Sequence, residues 1–100
     1  MKNMFFALLL ATTPALCQTT QIEGYNVYYG TLHNHSTLSD GQGSPDEAYT
    51  YARNTGKLDF FSLAEHCVML SPEEWDSLKN VAARHNADSV FTALHGFEWS

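Results

Sequence analysis

The sequence predicts an α/β protein with parallel strands, because short apolar segments rich in β-forming residues alternate with helical segments. Both helical segments open with Ser-Pro followed by acidic residues, at Ser44 and at Ser71. Each of the apolar segments ends next to a histidine or a glutamate. With 100 residues, of which 44% are hydrophobic, the chain is long enough for one globular domain at most.

The first segment of the chain has the pattern of a secretory signal peptide. Lys2 precedes an unbroken apolar run over residues 4–11. A run of this length is far below the about 20 residues that a transmembrane helix needs. We expect residues 1–17 to be removed and the mature protein to begin at Gln18, in the periplasm or outside the cell, which N-terminal sequencing of secreted protein would check. The alternative is a lipid anchor on Cys17, although Leu16 stands where a small residue is required.

The composition excludes several classes of protein. Eleven acidic residues against five Lys and Arg give a net charge of −6, which argues against binding to nucleic acid through phosphate contacts. The two cysteines cannot form a disulfide framework. After signal removal only Cys67 remains, and we interpret it as a buried apolar residue rather than a catalytic thiol.

The first strand and helix follow a short N-terminal extension over residues 18–26. Residues 27–35 are β-rich, and the turn residues from Ser39 to Gly43 predict a loop. A helix is predicted from Pro45 to Thr55, because Ser44 is an N-cap, Pro45 suits the first helical position and Glu47 completes a capping box. Its expected apolar face consists of Ala48, Tyr51 and Ala52.

The second strand, second helix and third strand follow in the same order. Residues 58–64 predict a short strand, and the capping box that starts at Ser71 predicts a helix over residues 72–86. The expected apolar face of this helix consists of Trp75, Leu78, Val81 and Ala82. Residues 90–94 predict the third strand.

Side chains that bind metals lie at the ends of all three predicted strands or just after them. They are His33, His35, Asp40, His66 and Glu98. Residues two apart on a strand point to the same side, so His33 and His35 are expected to face one ion while Asn34 faces away. Because the carboxyl ends of parallel strands meet at one edge, we expect the five side chains to converge there. Nitrogen and oxygen donors of this kind suit zinc, manganese or iron.

Three segments resemble the motifs of the PHP family, the polymerase and histidinol phosphatase domain. Leu32-His-Asn-His-Ser-Thr-Leu-Ser-Asp40-Gly41 is similar to the first motif, a His-x-His pair followed by Ser-Asp-Gly. Asp59-Phe-Phe-Ser-Leu-Ala-Glu65-His66 and Leu94-His-Gly-Phe-Glu98 resemble the second and third motifs. Glu65 stands where the family often has Asp, and His95 where it usually has Pro.

The resemblance implies a distorted seven-stranded (β/α) barrel, TIM-like, of which residues 27–100 would form the N-terminal β-α-β-α-β part. It implies up to three divalent metal ions, with His33 and His35 on the first, Glu98 bridging the first and second, and Asp40 and His66 on the third. Further ligands would come from later strands, so we expect this chain to be the N-terminal part of a longer protein.

The expected function is metal-dependent hydrolysis of a small phosphate ester. The alternatives are hydrolysis of an amide or another ester at a similar site, and a non-catalytic metal-binding or ligand-binding module of a larger exported protein. Outside the site, we interpret His95 as a neighbour of the ligands and His85 as a surface residue of the second helix. The sequon at Asn34 is not expected to carry a glycan, because a glycan there would block the metal.

Overall fold

The computed structural model describes residues 20–99. The predicted signal peptide therefore lies outside the described residues. The part described is a mixed α/β structure in which a parallel sheet packs against helices, which confirms the predicted class. Its elements are β1 (Thr20–Ile22), β2 (Tyr25–Val27), β3 (Gly30–Thr31), α1 (Pro45–Asn54), β4 (Phe60–His66), a short 3₁₀ turn (Cys67–Met69), α2 (Pro72–His85) and β5 (Thr92–Glu98). Over residues 20–99, no helix combines the length and apolar character needed to cross a membrane.

An antiparallel hairpin occupies most of the predicted N-terminal extension. β1 pairs with β2 in the register Thr20 with Val27 and Ile22 with Tyr25. The connecting residues Glu23 and Gly24 both have positive φ, 50° and 84°. Two successive positive φ angles give the tight turn whose twist suits a two-residue hairpin loop. The extension therefore forms a hairpin that precedes the parallel sheet in the chain.

The parallel sheet has the order β3-β4-β5, so strands that follow one another in the chain are neighbours in space. β3 is much shorter than predicted, with Gly30 paired to Phe60 and Thr31 to Phe61. β4 and β5 pair along their whole length, ending with His66 opposite Glu98. Both strands continue further toward their carboxyl ends than the sequence pattern indicated.

Both helices begin where the capping boxes predict. Ser44 and Ser71 accept a hydrogen bond from the backbone N–H of Glu47 and Glu74, whose carboxylates accept from the cap N–H in return. These backbone hydrogen bonds hold the pKa of both glutamates below its ordinary value. A lowered pKa in the folded state means that the stabilisation is complete above the unfolded-state pKa and declines as the pH falls through the folded-state pKa.

The helices cover one face of the sheet and form the core with it. Buried apolar side chains come from both helices, from β4 and from the turn before β5: Tyr49, Ala52, Phe61, Leu63, Leu78, Val81, Ala82 and Phe91. The predicted face of α2 is confirmed, with Trp75 partly buried at its edge. For α1 the prediction of Tyr51 was wrong, because Tyr51 is 66% exposed and Tyr49 is the buried tyrosine.

Tyr49 ties α1 to the sheet in two ways. Its ring meets the ring of Phe61 edge-on at 5.3 Å, and its hydroxyl donates to the carbonyl of Leu94 in β5. Burial raises the pKa of Tyr49 to about 12, so the hydroxyl keeps its proton and remains a donor throughout the neutral range.

A polar contact joins the two helices at the first turn of α1. The carboxylate of Asp46 accepts from His85 Nε2 at 2.6 Å and from Arg84 Nη2 at 3.1 Å. The hydrogen bond from His85 is the main cause of a lowered pKa at Asp46. The interpretation of His85 as an ordinary surface residue was wrong, since its side chain is only 18% exposed and its ring stacks on Tyr49.

Candidate metal centre

The five predicted ligands lie together at the carboxyl ends of the parallel strands. His33 and His35 follow β3, His66 ends β4 and Glu98 ends β5, directly opposite His66 in the ladder. Asp40 lies in the loop between β3 and α1. The sequence pattern therefore predicted which side chains meet at this edge.

Two groups of donor atoms form within this cluster. In the first, Nε2 of His33 lies 3.1 Å from Nε2 of His35. Oε2 of Glu98 lies 3.1 Å from Nε2 of His33 and 3.3 Å from Nε2 of His35. In the second, the two oxygens of Asp40 lie 3.2 Å from Nδ1 of His35 and 3.3 Å from Nε2 of His66. Oε2 of Glu98 also lies 3.3 Å from Nδ1 of His66, so one carboxylate oxygen faces three imidazoles.

These separations fit donors arranged around a metal ion. Ligands about 2.0–2.1 Å from zinc are about 2.9 Å apart at right angles and about 3.3 Å apart at tetrahedral angles. The donor atoms of His33, His35 and Glu98 are 3.1–3.3 Å apart, within that interval. Imidazole nitrogens combined with carboxylate oxygens are also the donor set that zinc, manganese and iron accept. The residues present could therefore hold a divalent ion.

The two histidines of the first motif project together because of the residue between them. His33 and His35 lie beyond the end of β3, not within a strand as expected. Asn34 faces away as predicted. Its side-chain amide donates to the backbone carbonyl of Ser62 at 2.9 Å, and its backbone carbonyl accepts from the N–H of Ala64 at 2.8 Å. These contacts extend the attachment to β4 past the short strand and leave both imidazoles facing Glu98.

The loop after His35 folds back on itself and places Asp40 beside the histidines. The carbonyl of Ser36 accepts from the N–H groups of Ser39 and Gly41 at 3.1 and 2.9 Å. A Cβ atom at Gly41 would lie 2.1 Å from the carbonyl oxygen of His35 and 2.7 Å from the nitrogen of Ser36. Only glycine fits at this position, because both of those atoms belong to the backbone.

Replacing this glycine should therefore damage the site rather than the core. In Gly41→Ala the loop must move away from His35, and Asp40 moves with it. We expect the full chain to keep its helices by circular dichroism and to bind metal at least tenfold more weakly, in line with the about 10–100-fold losses found when residues that orient ligands are changed. Gly43→Ala is the matched control, because a Cβ there meets its nearest atom at 3.6 Å and only its positive φ of 77° opposes the change. Equal metal binding by the two variants would contradict this account of the loop.

The structure adds one residue that the sequence pattern did not assign to the site. Glu65 is fully buried beneath the loop. Its Oε1 accepts from the backbone N–H of Ser36 at 2.8 Å and from the Ser36 hydroxyl at 2.5 Å, and its Oε2 accepts from the hydroxyl of Ser39. A charged residue just before a strand-end histidine was visible in the sequence, but its partners lie 26 to 29 residues away along the chain.

Two other residues with reactive side chains lie outside the group of donors. His95 points to the helix-covered face of the sheet and packs edge-on against Trp75 at 5.2 Å, on the opposite face of β5 from the donor atoms. Cys67 begins the 3₁₀ turn after His66 and is half-buried, so its interpretation as a buried residue is confirmed only in part. Neither residue is among the metal-binding groups found in residues 20–99.

Comparison with known proteins gives one relative and no assigned family. The chain is 24% identical over 102 residues to an uncharacterised protein of Chlamydia pneumoniae. The alignment covers the whole of this chain but 16% of the relative, so the chain spans about a sixth of the length of the protein that it matches. No protein-family profile matches the sequence, and no solved structure matches it.

Proposed function

We propose that this chain provides part of a metal-dependent phosphoesterase site in an exported protein that resembles the PHP family. The proposal depends chiefly on one observation, the single carboxylate oxygen of Glu98 within 3.1–3.3 Å of nitrogens from His33, His35 and His66. Such a cluster requires three separate strand ends to deliver donors to one point. The resemblance to the family supplies the reaction type, phosphate ester hydrolysis.

The topology supports the proposed place of this unit in a (β/α) barrel. Barrel strands are added in sequence order with a helix between neighbours, whereas doubly wound sheets reverse their strand order at a switch point. Here β3, β4 and β5 are consecutive neighbours, and α1 and α2 connect them. The donors lie at the carboxyl ends of the strands, where barrel enzymes place their active sites.

Each residue of the cluster has a proposed role in holding the ions. As the resemblance implies, His33, His35 and Glu98 would hold one ion, Glu98 would also serve a second, and Asp40 and His66 would serve a third. Divalent ions at such a site supply an activated water and offset the charge of the phosphate. The carboxylates of Asp40 and Glu98 draw cations toward an edge that would otherwise repel an anionic ester. Bound ions would outweigh these acidic surroundings, so that the edge could accept a substrate phosphate.

The test is a hydrolysis assay on the full-length protein that contains this chain, supplied in turn with zinc, manganese and iron(II). We expect release of p-nitrophenol from p-nitrophenyl phosphate, loss of that release after treatment with EDTA, and its return when the metal is restored. p-Nitrophenyl acetate and an anilide substrate test the alternative ester and amide hydrolases. Stoichiometric metal binding with no turnover of any of these substrates would favour the non-catalytic module and contradict the proposal.

A further inference from the structure

We propose that Glu65 is a positioning residue that fixes the tautomer of His35 through the hydroxyl of Ser39. The proposal rests on the proposed metal site and deepens it, since it states which nitrogen of His35 faces the ion. The contacts run in one line. Oε2 of Glu65 accepts from Ser39 Oγ, and Ser39 Oγ lies 3.1 Å from Nδ1 of His35.

The direction of each hydrogen bond follows from the protons available. A carboxylate has only lone pairs to offer, and a serine hydroxyl has a single proton. The Ser39 hydroxyl gives that proton to Glu65, so toward His35 it presents only a lone pair. Nδ1 of His35 must then carry the ring proton and donate it to Ser39. The lone pair of a neutral His35 is left on Nε2, the atom that lies 3.1 Å from Nε2 of His33 and 3.3 Å from Glu98.

The same tautomer separates the two groups of donors. Both ring nitrogens of His35 face possible ligands, Nε2 in the group with His33 and Glu98 and Nδ1 in the group with Asp40. With the proton on Nδ1, that nitrogen has no lone pair to offer an ion shared with Asp40, whose Oδ1 lies 3.2 Å away. His35 therefore belongs to the first ion alone. Control of a ligand histidine through the hydrogen bond at its other nitrogen is a general device of metal sites.

Burial makes this line of contacts rigid. Glu65 and Ser36 are both fully buried, and Oε1 of Glu65 receives two donors from Ser36. The Ser36 hydroxyl in turn accepts from the N–H of Leu38 at 3.2 Å, which fixes its own proton toward Glu65. The carboxylate therefore has one possible orientation, with Oε2 directed at Ser39.

Glu65→Gln tests the proposal because it should reverse the direction of both hydrogen bonds between residue 65 and His35 with almost no change in side-chain shape. The two donors from Ser36 require the amide oxygen at the Oε1 position, so the amide NH₂ faces Ser39. Ser39 then accepts from Gln and donates to Nδ1 of His35, which moves the ring proton to Nε2. We expect the ¹⁵N spectrum of the metal-free full chain to show the Nδ1–H form of His35 in the wild type and the Nε2–H form in Glu65→Gln. The dissociation constant for Zn²⁺ should rise by about 10–100-fold, the usual effect of losing an outer partner of a ligand.

Ser39→Ala is the matched control because it removes the link without reversing it. The carboxylate of Asp40, with Oδ1 3.2 Å from Nδ1, is within reach to take over the ring proton that Ser39 no longer accepts. The tautomer should therefore be retained, and zinc affinity should change less than fivefold. Introducing Glu65→Gln into Ser39→Ala should then weaken zinc binding less than threefold further, since coupled residues are not additive. If Glu65→Gln keeps the Nδ1–H form, or weakens zinc equally with and without Ser39, the proposal is wrong.

A second pair of variants tests the same point without touching a buried residue. Asp40 is 63% exposed, so Asp40→Asn leaves the core intact. With Ser39 present, the Nδ1–H form should persist in Asp40→Asn, and adding Ser39→Ala should produce a mixture of tautomers. An unchanged tautomer in the double variant would overturn the role of Ser39. These spectra do not depend on catalysis, so an absence of phosphatase activity with the expected tautomers would contradict the proposed function alone.

Discussion

Glu98→Gln should remove at least one metal ion from the full chain and lower the rate of phosphate ester hydrolysis by about 100-fold or more. The substitution keeps the shape of the side chain and one oxygen but removes the negative charge that faces three histidines. In two-metal hydrolases a shared ligand holds ions about 3.5–4 Å apart, and each ion contributes several kcal/mol to stabilising the transition state. A loss of about 2.7 kcal/mol corresponds to the 100-fold decrease. Metal content by elemental analysis, measured beside turnover, gives both quantities.

Asp40→Asn is the comparison that makes this result specific. The carboxylate of Asp40 lies beside His35 and His66, at 3.2 and 3.3 Å. We expect Asp40→Asn to lose no more than one ion and to lower the rate less than Glu98→Gln does. If Glu98→Gln retains every ion and hydrolyses the substrate faster than Asp40→Asn, then Glu98 is not shared between ions. The similarity to the third motif would in that case be a coincidence of a glutamate at a strand end.

The helices were predictable from sequence because their starts depend on local contacts. A cap, a proline and an acidic third residue act within one turn, so the boundaries at Pro45 and Pro72 match the prediction. The strand ends were less predictable. Glu65 and His66, the polar residues after Ala64, indicated an end to the strand. β4 nevertheless continues through them, because Ser36 and Ser39 from another part of the chain donate hydrogen bonds to the carboxylate of Glu65.

The candidate ligands were predictable because parallel strands end at the same edge. The register of β4 and β5 needed only to bring His66 opposite Glu98, as it does. The supporting contacts were not predictable, because they join residues far apart in the sequence. The link from Glu65 to Ser39 and the close approach of Gly41 to His35 both depend on the path of the loop, which no local pattern specifies. The burial of His85 against α1 is of the same kind.

His33→Ala should abolish binding of the first ion. Loss of a residue that only orients a ligand lowers metal affinity or activity about 10–100-fold, and loss of a ligand should reduce turnover at least as much. The side chain of His33 is 62% exposed, so its removal leaves the core in place and the thermal unfolding temperature nearly unchanged. His35 is less suitable for this test, because its ring also contacts Ser39 and Asp40 in the loop. Elemental analysis, turnover and thermal unfolding of the full chain measure the three effects.

The control for His33→Ala is His95→Ala, which removes an imidazole from the opposite face of β5, where it packs on Trp75. We expect His95→Ala to keep its metal and its activity while losing some stability, the reverse of the pattern for His33→Ala. Because the site at His33 is open to solvent, added imidazole should enter the space left by the substitution and restore part of the metal binding. A His33→Ala protein with full metal content and unchanged turnover would show that His33 is an ordinary surface histidine, and would leave His35 and Glu98 too few to hold the first ion as proposed.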